Sequence, residues 1–86
     1  MIVVQCTPIK NRVARKTEVL RYMKSASPMC AAPASVIDRE TQKNTGIELV
    51  MYSDGKYCWS SETLYHFDKY DHTLNQDFIN YVLSKS

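Results

Sequence analysis

The chain has 86 residues, room for one domain over residues 1–86 and not two. Its residues are 44% hydrophobic and 23% charged, with only two Gly and three Pro, which excludes collagen-like, low-complexity and wholly disordered classes. The net charge of +2 points to no strong polyelectrolyte partner, but it divides unevenly. Residues 1–43 hold eight basic and three acidic groups, and residues 44–86 hold three basic and six acidic groups.

Residues 2–6, Ile-Val-Val-Gln-Cys, are short and β-branched and read as a strand stopped by Thr7-Pro8. Val13, Val19, Leu20 and Met23 fit one face of a helix over 13–25, with Thr17 a natural N-cap for its regular part. Residues 25–33 contain Pro28 and Pro33 and read as a linker packed on the surface. Residues 34–38 suggest a short strand, and 39–46 a polar, mobile loop ending in Gly46.

The strongest local pattern follows. Two β-prone runs, 47–53 and 56–59, flank Asp54-Gly55, the signature of a two-residue type I′ hairpin. That turn pairs Ser53 with Lys56, Tyr52 with Tyr57, Met51 with Cys58, and Val50 with Trp59. One face then carries Ile47, Leu49, Met51 and Cys58, which looks like core. The other carries Val50, Tyr52, Tyr57 and Trp59, either covered by helices or partly open.

Ser60 caps a helix running to about Tyr70, with Leu64 and Phe67 inward. Asp71-His72-Thr73 breaks it, and Asn75 caps a last helix with a Phe78, Ile79, Val82, Leu83 stripe. Ser84-Lys85-Ser86 reads as a frayed tail. The fold class is therefore α+β: a small antiparallel sheet of about four strands (2–6, 34–38, 47–53, 56–59), one early helix and two short C-terminal helices.

Little chemistry is encoded. There is no P-loop, GxGxxG, GxSxG or HExxH pattern, and two glycines leave no backbone cradle for phosphate. Cys58 with His66 or His72 lacks the setting of a nucleophile and the spacing of a metal site. No catalytic residue, metal or cofactor is expected, and the protein does not read as an enzyme. Cys6, Cys30 and Cys58 are an odd set without a CxxC pair and read as buried reduced thiols in a cytoplasmic protein. No apolar run reaches membrane-spanning length, and the N-terminus does not read as a signal peptide.

What remains is recognition. Tyr52, Tyr57, Trp59 and Tyr65 form an aromatic cluster suited to a protein partner, with Asp68 and Asp71 beside it near a helix C-terminus, where acids are mildly unfavourable. The alternative is nucleic-acid binding through Lys10, Arg12, Arg15, Lys16, Arg21 and Lys24. Against it, the two halves of the chain could simply face and neutralise each other. A homodimer through a free edge at 56–59 or 2–6 is a further option.

Val36-Ile37-Asp38, Thr45-Gly46 and the run Tyr52-Ser53-Asp54-Gly55-Lys56-Tyr57-Cys58-Trp59-Ser60 together carry a resemblance. With Tyr65, Lys69-Tyr70, Leu74 and Phe78-Ile79, they resemble small uncharacterised bacterial and phage proteins over about half the chain. The resemblance implies a fold and brings no activity. The expected role is a small non-enzymatic binding module, such as an immunity protein, antitoxin or phage-encoded inhibitor.

Overall fold

A computed structural model describes residues 1–85. The fold is α+β, with one early helix and two C-terminal helices around a four-stranded sheet. The sheet strands are β1 (Ile2–Val3), β3 (Ser27–Ile37), β4 (Asn44–Ser53) and β5 (Tyr57–Ser60), in the order β1-β5-β4-β3. β1 runs parallel to β5 and the other pairs are antiparallel, so the sheet is mixed. A separate two-stranded sheet joins β2 (Cys6–Lys10) to β6 (His72–Leu74). The helices are α1 (Lys16–Lys24), α2 (Ser61–Tyr70) and α3 (Gln76–Leu83).

The N-terminal run makes two strands where one was expected. Val4 ends the first by donating to the Cys58 carbonyl, and the chain then crosses to pair with β6. Pro8 does not stop the second strand, because β2 has only one neighbour and its other edge needs no donor. Helix α1 begins at Lys16, with Arg15 and not Thr17 as N-cap. Arg15 sits in the left-handed region at φ 62°, and its carbonyl accepts from Glu18 and Val19. Val19 and Met23, one turn apart, are buried.

The largest departure is the segment expected to be a linker. Residues 27–37 form one eleven-residue strand, longer than the expected strand at 34–38. Pairing with β4 supplies backbone partners that local propensity could not reveal, and the prolines are tolerated because β3 is an edge. The ladder shifts register three times along its length. β4 starts at Asn44, so the expected loop over 39–46 shrinks to a turn over 38–43. Gly46 keeps a positive φ of 77° within the strand.

The Asp54-Gly55 hairpin forms, but with a four-residue connection. Ser53 pairs with Cys58, Tyr52 with Trp59, and Met51 with Ser60, two residues from the expected register. The cause is the Asp54 side chain. Its Oδ1 accepts from the N–H groups of Lys56 (2.9 Å) and Tyr57 (2.7 Å), so only Gly55 adopts positive φ. A shift of two keeps every side chain on its expected face.

Ser60 caps α2 as expected, its Oγ accepting from Thr63 N–H at 3.2 Å. Asn75 occupies the N-cap of α3 but aims its Oδ1 at the N–H of Gln5, tying β1–β2 to the last helix. The tail is more ordered than expected. Ser84 caps α3, and Lys85 donates to the Val82 carbonyl. Ser86 lies outside the described residues. The core combines Val4, Val19, Met23, Trp59, Phe67, Phe78, Ile79 and Val82. Strand 56–59 is interior to the sheet, so the open edges belong to β1 and β3.

Candidate interaction surface

The aromatic face expected to meet a partner is core. Trp59 is fully buried and Tyr57 is 5% exposed. Phe78 of α3 lies 5.3 Å from the Trp59 ring and 5.1 Å from Tyr57, and Tyr81 covers Tyr57 at 5.0 Å. The helices cover this face because it offers the most apolar area in the sheet. Tyr52 is half-buried against the same core. Neither Tyr57 nor Trp59 can present its ring to another protein.

Tyr65 belongs to a different group, built around Asp38. This carboxylate is 2% exposed, at the turn between β3 and β4. Its Oδ2 accepts from the hydroxyls of Tyr65 and Tyr70, both at 2.6 Å. Its Oδ1 accepts from the N–H groups of Glu40 (2.8 Å) and Thr41 (3.1 Å). Burial pushes the Asp38 pKa up, but these four donors outweigh it and hold the carboxyl well below the usual range. The bond to Asp38 in turn raises the Tyr70 hydroxyl.

The turn is fixed at more points. Arg39 N–H donates to His66 Nε2 at 2.9 Å, so His66 carries its proton on Nδ1, 2.7 Å from the Glu62 carbonyl. The Arg39 guanidinium pairs with Glu62 and donates to the Cys6 carbonyl at 3.2 Å. Glu40 reaches His72 Nε2 at 3.3 Å, and the two fully buried imidazoles stack at 5.4 Å. Every one of these contacts joins the hairpin tip to α2, β2 or β6. Asp38 opening a polar run after Val36-Ile37 is an Asx-turn signal. The histidines, 27 to 32 residues away, left no local trace.

The basic segment is partly neutralised by carboxylates of both halves of the chain. Lys16 binds Asp71 at 2.6 Å, and this hydrogen bond is the main reason the Asp71 pKa is lowered. Asp71 caps α2 in the left-handed region at φ 57°. Arg15 grips Glu18, Lys24 lies 3.8 Å from Asp68, and Lys10 lies 3.8 Å from Glu40. Arg12 contributes to the field on Asp71, and Arg21 lines a groove on α1. The expected binding acids Asp68 and Asp71 therefore sit with lysines and not with the aromatics.

The opposite sheet face stays partly open, with Cys58 on it buried and Leu49, Met51 and Ser53 half-buried. Cross-strand pairing places Val3, Cys58, Ser53 and Ser27 in one row, and Ser60, Met51 and Cys30 in the next. Alternation along β4 adds Ile47, which is exposed, and Leu49, which is half-buried. Met1 joins them, its sulfur accepting from the Ser53 hydroxyl at 3.0 Å. No residue from 25 to 37 is charged. Glu48, the sole charge in β4, points to the other face by alternation. The first eight residues of β3 are exposed. Cys30 among them is exposed rather than buried, unlike Cys6 and Cys58.

Among the described residues no group of three or more His, Cys, Asp or Glu side chains could hold a metal ion. No helix among the described residues is long and apolar enough to cross a membrane. No family model, curated protein or solved structure matches this chain.

Proposed function

We propose that the protein is a non-enzymatic binding module that docks another protein on the open face of the β3–β4 hairpin. The observation that carries this reading is one uncharged face: β3 has no charged residue and is mostly exposed, and Glu48 of β4 points to the other face. Charge depletion with exposed methionine marks the centre of protein interfaces, whereas free surfaces normally carry charge. The docked turn at 38–43 supports the reading too. It braces the hairpin against the body, so little ordering entropy opposes binding. Immunity proteins, antitoxins and phage-encoded inhibitors are the functional classes that fit a small chain of this kind.

The face, not the β3 edge, is the contact surface. Pro28 and Pro33 remove two backbone donors, and the register shifts bend the strand away from regular pairing. The nucleic-acid alternative has less support, because Lys10, Arg15, Lys16 and Lys24 each lie against a carboxylate.

The test is affinity capture from the native host with the wild-type chain and with Leu49→Glu/Cys30→Glu. Cys30 is exposed and Leu49 half-buried outside the core cluster, and circular dichroism checks that the variant folds. A partner held by wild type and lost by the folded variant is the expected result. Equal capture by both would contradict the proposal.

A further inference from the structure

A trough crosses the C-terminal end of α1, apart from the open sheet face. Its main part, a cavity volume of about 620 Å³, is lined by Thr17, Glu18, Arg21, Tyr22 and Ser25 of α1 and its C-cap, and by Val82 and Lys85 at the α3 end. It continues past Ser25 to the root of β3 and the Asp54-Gly55 turn. On the other flank of Arg21 it reaches Leu20 and Lys24.

Its charge is mainly cationic, although Glu18 and Asp54 also line it. Arg21, Lys24 and Lys85 line it, and Lys56 shares the Tyr81 ring with Lys85, at 4.8 and 4.7 Å. The nearby carboxylates are occupied. Glu18 is gripped by Arg15 through both oxygens. Asp54 accepts from the Tyr22 hydroxyl and from two backbone N–H groups. Arg21 makes no ion pair among the described residues, and Lys24 has only the 3.8 Å contact to Asp68. The dipole of α1 accounts for cations in its last turn. It does not account for Lys85, which comes from beyond another helix, or for the cavity between them.

We infer that this trough binds an acidic, amphipathic peptide segment of a partner protein. Carboxylates would meet Arg21 and Lys85, and an apolar side chain would rest beside Val82 and Leu20. Nucleic acid fits less well. Base stacking needs an exposed ring, and the Tyr22 ring packs against Trp59 and Phe78 at 6.4 and 6.5 Å. The main part of the trough shares no residue with the hairpin face, so either surface can bind or fail to bind without the other.

The experiment titrates the isotope-labelled full chain with a capped synthetic peptide of about a dozen residues, Glu and Leu at helical spacing. Saturable amide shifts are expected at Thr17, Arg21, Tyr22, Ser25 and Lys85. Affinity should fall between about 50 and 300 mM salt. Arg21→Glu/Lys85→Glu should weaken it about tenfold or more, and Arg21→Lys/Lys85→Arg should keep it. Lys85→Glu alone, near the chain end, should weaken binding without touching the core. A Glu-only peptide and a dT oligonucleotide should each bind more weakly. The inference is overturned by no saturable shift, by shifts confined to other residues, by unchanged affinity after charge reversal, or by tighter binding of the oligonucleotide.

Discussion

Asp38 ties the β3–β4 turn to α2. It accepts four hydrogen bonds while almost fully buried, and Lys69 adds a cation at 3.9 Å. Its pKa is depressed in the folded chain, so its stabilisation is present above the unfolded carboxyl value of about 3.9. That stabilisation is lost as pH falls below that value, toward the folded pKa. Asp38→Asn should lower the melting temperature clearly at pH 7, and the gap to wild type should narrow below about pH 4. Parallel melting curves across that range, followed by circular dichroism, would show that Asp38 does not act through its charge. Ser60 is a simpler case. Ser60→Ala removes the acceptor for Thr63 N–H and should cost about 1 kcal/mol in chemical denaturation.

At the scale of elements, the legible parts were those with local causes. The Ser60 cap, the Phe78, Ile79, Val82 stripe and the hairpin at Asp54-Gly55 all follow from residues within a few positions of each other. The Asp54 side chain altered the turn without altering which face each residue occupies. Strand β3 was not legible, because Pro28, Pro33 and a run of small residues suppress local β-propensity and only pairing with β4 makes the strand. The same prolines yield a prediction. Pro28→Thr/Pro33→Thr restores two donors on an uncharged edge and should promote self-association, read as concentration-dependent sedimentation. A variant that stays monomeric like wild type would show that register shifts alone protect the edge.

For the molecule as a whole, the charge asymmetry between halves is matched in part by pairs that cross them. Lys16–Asp71 and Lys24–Asp68 bring the basic early helix against the acidic end of α2. The candidate site was less legible than the fold. The aromatic cluster was a sound signal of burial and a poor signal of exposure, since Tyr57 and Trp59 have apolar area that the helices take first. The hairpin face was expected as core because Leu49 and Met51 are aliphatic. Only three-dimensional placement shows that the helices lie on the other side. Recognition by the open face of β3–β4 is the central claim. Its most direct test is calorimetric titration of the captured partner, purified, into wild type and into Leu49→Glu/Cys30→Glu. A Kd weakened about a hundredfold or more in the folded variant is the expected result. Equal Kd values for the two chains would contradict it.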